Sequence, residues 1–328
     1  GTNESQRDEI QSHIRKNYSW EQSVHQLLGG YAQTLAMKNK SLPKKLATNA
    51  SISQSVLSPS KTVKKVIDTK PSQKKTYEIK PESTQPVVDI VVPIYGQVNL
   101  LRKCVESVLE TTTQTRLILV DDCTPGNEIQ EYFKEIGNHP GITTAKTPRN
   151  MGFIGTCKHG AVLGSAPFIL FLNSDTEAIE NGWLDKMLPE TDDIGIVGAR
   201  LLYPPSIPGF LAGKIQHAGV ARNSKGIPYH PFLGWDANSP EVSKARDVNA
   251  VTGACLLVRR SLWNELGGWD ERFGKGVYED VDLGWRTKKK GLRVLYQPAA
   301  TLYHHESASK SPDGNHQLNE HTQENLEQ

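Results

Sequence analysis

Between Val87 and Asp175 the chain alternates near-continuous apolar runs with stretches of helical periodicity. VVDIVVPIY is followed by VNLLRKCVESVLE, TRLILVDDC by NEIQEYFKEIG, ITTAKT by FIGTCKHGAVLGSA, and the series ends in FILFLNSD. Apolar runs without polar alternation mark strands buried on both faces. The pattern predicts an α/β fold: a Rossmann-like, mostly parallel sheet flanked by helices. Ligands of such sheets settle beyond the carboxyl ends of the strands. Asp121 and Asp122 stand at one such end, Asn173 and Asp175 at another. A single Asp there is ordinarily a helix N-cap or a turn residue. Two acidic strand ends on one edge point instead to a ligand.

A chain of 328 residues, 37% hydrophobic and 23% charged, has room for one large α/β domain plus polar stretches. Residues 1–37 carry Ile14, Tyr18, Val24, Leu27, Leu28, Tyr31 and Leu35 at helical spacing, with Ser19 and Gln22 placed as a capping box. Residues 38–86 are rich in Lys, Ser and Pro and read as a solvated tether. Within them, residues 38–80 carry a net +9 in a chain of +2, leaving −7 for the remainder. That mildly acidic remainder does not favour nucleic acid as a partner. Residues 87–309 form the predicted domain, split near residue 200, and 310–328 a polar tail. No apolar run approaches the roughly 18 residues of a membrane span. No signal peptide is visible, and the opening GTNESQRDEI, without Met, points to an excised fragment or a cleaved tag. Cys104, Cys123, Cys157 and Cys255 lie far apart without a CxxC pair, as reduced thiols of a cytoplasmic protein do.

The chain has neither GxxxxGK[ST] nor a GxGxxG after its first strand, which disfavours a P-loop ATPase and a dinucleotide dehydrogenase. A phosphate ligand then needs its charge neutralised another way. Mg²⁺ or Mn²⁺ on Asp175 would do so, since these cations take few protein ligands beside a substrate's phosphates. Further on, YEDVDLGWRTKKKG places Glu279, Asp280 and Asp282 in the first turn of a predicted helix. The helix dipole accounts for one or two of these acids, and Asp282 can pair with Arg286 four residues on. Asp280 points to a different side and can face a substrate. The closing LRVLYQPAATLYHHES gives a strand, a Pro and the pair His304–His305, and imidazole accepts Mn²⁺ readily.

Taken together, PIYGQVNLLRKCVESVLE, VDD, RNMGFIGTCKHG, FLNSDT, VGARLLYP, QHAGV, VTGACLLVRRSLWNELGGWDE, EDVDLGWR and YQPAATLYHHESAS stand in the order of a known family. From about Val87 to Ser309 the chain resembles glycosyltransferase family 2, inverting enzymes of the GT-A fold, in its polysaccharide and O-antigen rhamnosyltransferase-like branch. The resemblance implies that FLNSDT is the family's DXD motif, with Asn173 in the first Asp position. That departure puts direct metal contact by residue 173 in doubt. Asp175 would hold a Mn²⁺ or Mg²⁺ under the donor's diphosphate. Asp121 or Asp122, with the backbone around Pro93 and Tyr95, would hold base and ribose, and Arg149 and Asn150 would line the nucleotide pocket. Asp280 would be the general base, with Glu279 next in line. His304 would be the metal-ligating His and His305 its reserve. His217, His230 and Trp235 would serve the acceptor side, where Asp282 is a further candidate.

The resemblance implies transfer of a sugar from a UDP-, dTDP- or GDP-sugar to a glycan or lipid-linked acceptor during bacterial lipopolysaccharide synthesis. Such an enzyme would be cytoplasmic and peripheral to the inner membrane. YSWEQSVHQLLGGY resembles the closing helix of a retaining family with two Rossmann domains, which implies further transferase domains in a longer chain. The rival readings are a sugar nucleotidyltransferase, for which PIYGQVN lacks the Gly-rich loop, and a catalytically inactive carbohydrate-binding module.

Overall fold

The computed structural model describes residues 85–305, apart from 208 and 225. The expected N-terminal helix, the tether up to residue 84 and the polar tail lie outside the described residues. The chain divides into two units, 1–81 and 82–328, of which the second holds the described fold.

The first half of that unit alternates as expected. It runs β1 (Val88–Ile94), α1 (Val98–Thr111), β2 (Thr115–Asp121), α2 (Glu128–Ile136), β3 (Ile142–Lys146), α3 (Gly152–Ala161) and β4 (Phe168–Leu172). Next come β5 (Thr176–Ala178), β6 (Ile194–Leu202), β7 (Ile215–His217), β8 (Ala221–Arg222), β9 (Pro228–Tyr229) and β10 (Arg246–Asp247). The chain closes with β11 (Cys255–Arg259), α4 (Arg260–Leu266), α5 (Glu279–Lys289) and β12 (Arg293–His304). The main sheet has the order β10-β12-β6-β11-β4-β1-β2-β3. Its pairings β1–β2, β1–β4, β2–β3 and β6–β12 are parallel, while β11 runs antiparallel between β4 and β6.

The apolar runs are continuous because the two faces of each strand are covered by different helices. Ile90, Val92, Leu117, Leu119, Leu170 and Leu172 pack against α1 and α2. Val91, Ile118, Val120, Ile169 and Phe171 pack against α3, α4 and α5. In α1 the buried positions Leu101, Cys104, Val105 and Val108 follow the spacing of one helical face. A Cβ at Gly160 would run into Val91, so the glycine lets α3 lie close on β1.

At the amino edge of β1, Asp89 is fully buried between two guanidiniums. Arg116 lies 2.8 Å away and Arg260 2.6 Å, and the Ala166 amide donates at 2.7 Å. Removing one partner of a buried ion pair strands the other charges. Asp89→Ala should therefore cost about 3–5 kcal/mol of stability. Urea titration measures it, and a loss under about 1 kcal/mol, the worth of an exposed pair, would show that water screens the cluster.

Candidate active site

The carboxyl edge of β1, β2 and β4 gathers the first group of candidates. Pro93 is the last residue but one of β1, and Tyr95 just beyond the strand is exposed. Asp121 is buried and accepts from the Thr124 amide at 2.9 Å and from Gln130 at 2.8 Å. Asp122, also buried, accepts from Thr147 Oγ1 at 2.9 Å and from the amides of Met151 at 2.7 Å and Gly152 at 2.9 Å. Both carboxylates thus tie loops to the sheet edge, and Asp122 anchors the start of α3. Arg149 and Asn150 line a cavity of about 380 Å³ with Lys158, His159 and Glu271.

Asp175 does not cap a helix, because β5 follows it directly. β12 pairs antiparallel with β5, and His304 sits opposite Thr176. That register brings His304 Nε2 within 3.2 Å of Asp175 Oδ1 and 3.2 Å of Asn173 Nδ2. His305 turns the other way, 3.3 Å from Glu177. β12 reaches this point by running through Pro298, where the pairing with β6 shifts register between Gln297 and Thr301. A bulge is where a strand accommodates a residue without N–H.

Gln216 sets the tautomer of His304. Its Nε2 donates to the His304 backbone oxygen at 3.3 Å, so its Oε1, 2.7 Å from His304 Nδ1, must accept. The imidazole proton is then on Nδ1 and the Nε2 lone pair faces Asp175. An outer amide holding the ring of a metal ligand in this way is the usual arrangement. Burial works to raise the Asp175 pKa; when the ring is charged instead, its Nε2–H and positive charge, with His305 behind it, prevail and hold the Asp175 carboxyl below the ordinary value. Among the described residues no three His, Cys, Asp or Glu side chains cluster as a complete metal cage. A carboxylate and an imidazole with an open side suit Mn²⁺ or Mg²⁺ completed by phosphate oxygens and water.

Glu279 and Asp280 open α5 behind Tyr278, whose φ of 71° is left-handed. Asp280 accepts from the amides of Gly253 at 2.9 Å and Val281 at 2.8 Å. Its pKa is raised by burial, against the pull of those two amides and of His230. Glu279 is 7% exposed, and its Oε2 has no hydrogen-bond partner. Burial, then the Asp280 charge, push it up to about 8. Burial thus pushes both carboxyls up, and repulsion by Asp280 carries Glu279, whose Oε2 has no partner, up to about 8.

An acid whose pKa rises on folding costs stability as pH climbs from its unfolded value of 4.5 to about 8. Glu279→Gln removes that cost while keeping the side chain's shape. Across this window the variant should gain on the wild type by on the order of a few kcal/mol. Parallel melting curves for the two proteins from pH 5 to 8 would contradict the assignment.

The turn Thr252–Ala254 joins the two halves of the site. Gly253 N binds Asp280, and one residue on, Ala254 O accepts from Asn173 N at 3.0 Å. Neighbouring Cα atoms are about 3.8 Å apart, so one short turn is tied both to Asp280 and to the strand end that carries Asp175.

Residues 89–226 match the sequence profile of glycosyl transferase family 2. They form a glycosyl transferase family 2 domain. The chain is 32% identical over 239 residues to O-antigen biosynthesis protein RfbC of Myxococcus xanthus, covering 70% of this chain and 18% of that protein. It is 46% identical over 68 residues to the N-acetylglucosaminyl-diphospho-decaprenol L-rhamnosyltransferase of Mycobacterium tuberculosis, covering 21% of this chain and 22% of that one. The match thus spans under a quarter of each relative. The fold is that of a solved GT-A enzyme, GalNAc-T7 with UDP, GalNAc and Mn²⁺, with a TM-score of 0.55 at 16% identity over 68% of this chain and 44% of that one.

On the acceptor side of this family 2 chain, two expectations need correction. His217 is 1% exposed and cannot touch an acceptor; its part is inside the wall. Asp282 gives its carboxylate to Arg286 at 2.7 Å, and that guanidinium also holds the Leu266 and Gly268 carbonyls, so the residue braces its helix. Trp235 is exposed and packs edge-on against Phe232. Sequence reasoning missed Gln216 and the Thr252–Ala254 turn. QHAGV and VTGA carried them, but only β7 pairing with β6 shows that Gln216 reaches His304.

Proposed function

We propose that this chain is a metal-dependent, inverting glycosyltransferase that moves a sugar from a nucleoside-diphosphate sugar to a hydroxyl of a glycan or lipid-linked acceptor. Its setting would be assembly of a bacterial surface polysaccharide, as the O-antigen biosynthesis name of one relative supports, on the cytoplasmic side of the inner membrane. Among the described residues no helix is long and apolar enough to cross a membrane, so the contact with that surface would be peripheral. The observation that carries this reading is the shared turn: Gly253 binds the Asp280 carboxylate, and Ala254 binds the backbone of Asn173, whose side chain lies 3.2 Å from His304.

Asp175 and His304 would hold Mn²⁺ or Mg²⁺, with Gln216 keeping the imidazole lone pair forward. Bound there, the cation would supply Lewis-acid stabilisation of the charge on the departing nucleoside diphosphate. Asp121 and Asp122 would shape the base and ribose pocket by fixing its loops, and Arg149 and Asn150 would face the nucleotide. Asp280 would take the proton of the acceptor hydroxyl as that oxygen attacks the anomeric carbon. A base opposite the leaving group makes the reaction a single displacement, which inverts the anomeric centre. Trp235 would offer a flat apolar face to an acceptor sugar.

Melting the protein with Mn²⁺ and a panel of UDP-, dTDP- and GDP-sugars tests this. One nucleotide class should raise the melting temperature only when Mn²⁺ is present, by about 2.7 kcal/mol at a hundredfold excess over Kd. No shift with any donor would reject the reading.

A further inference from the structure

Thr252 and Gly253 present consecutive backbone N–H groups to two different side chains. The first donates to His217 Nε2 at 3.3 Å and the second to Asp280 Oδ2 at 2.9 Å. His217 Nε2 also accepts from the Gly219 amide at 3.2 Å. A ring nitrogen that accepts from two amides carries no proton, so the proton of His217 is on Nδ1. Burial, with the charges of His230, His304 and Arg246, holds its pKa well below the ordinary value, in keeping with a neutral ring.

His217 Nδ1 lies 3.0 Å from His230 Nδ1, so His217 donates and His230 accepts. The His230 proton is then on Nε2. Asp280 is flanked by Glu279 and Tyr278 on its own helix turn, and His230, in the loop after β9, is close enough to act on it electrostatically.

We propose that His217 and His230 are positioning residues for transfer. His217 locks the Thr252–Gly253 turn against the base. His230 offers its Nε2–H to the acceptor hydroxyl oxygen while Asp280 takes that hydroxyl's proton. This rests on Asp280 being the base.

The experiment compares His230→Ala, His230→Gln, His217→Ala and Asp280→Asn in donor binding, donor hydrolysis by water and transfer to acceptor. His230→Ala should lower kcat for transfer about 10- to 100-fold and slow hydrolysis by less, with donor Kd kept. His230→Gln, which keeps an N–H donor, should recover most of it. His217→Ala should slow hydrolysis and transfer together. Its melting temperature is recorded, and if it does not fold the exposed His230 decides. Wild-type transfer by His230→Ala, or equal losses in hydrolysis and transfer, would overturn the proposal. Transfer by Asp280→Asn would instead overturn the reading of the base.

Discussion

Asp280→Asn keeps donor binding at its wild-type strength and slows sugar transfer by about 10²–10⁴-fold, the usual contribution of a positioned base. The amide retains an oxygen for the Gly253 N–H, so the turn at 252–254 stays in place and the loss falls on kcat. Alanine at the same position would release that turn as well and mix the two effects. Rates at saturating donor, with donor Kd measured separately, give the result. Undiminished turnover would show that the proton leaves by another route. Glu279, buried beside Asp280 and pushed up to about 8, would then be the next group to test.

Chelation should stop transfer, and added Mn²⁺ should restore it. Asp175→Ala and His304→Ala should each weaken Mn²⁺ binding so far that activity returns, if at all, only at elevated metal. Gln216→Ala leaves both presumed ligands in place and should still cost about 10–100-fold in metal affinity, because the imidazole loses the partner that fixes its tautomer. Calorimetric titration of Mn²⁺ in the presence of nucleoside diphosphate reports all three. Unchanged affinity in Asp175→Ala would move the cation elsewhere; unchanged affinity in Gln216→Ala would show that the ring needs no outer support.

The strands and helices of the first half were legible because burial on both faces leaves an unbroken apolar signal in β1, β2 and β4 and a clear helical face in α1. Asp282 shows the limit of such reading. Its spacing to Arg286 gave the pairing, yet only the backbone carbonyls that Arg286 also binds reveal why the carboxylate is committed. His217 looked like an acceptor contact because a motif does not report depth. The antiparallel β11 and the small β5 left no sequence trace of their partners, since pairing depends on contacts far apart in the chain.

The sequence by itself determined the parallel α/β architecture, the family and the two separated acids, because local periodicity and short motifs survive in one dimension. Only the folded chain shows which His stands beside Asp175, that Glu279 is buried with an unpartnered oxygen, and that one turn binds both the Asp280 carboxylate and the Asn173 backbone. Those outcomes depend on strand register, burial and the direction of individual hydrogen bonds, which exist only once distant segments have come together.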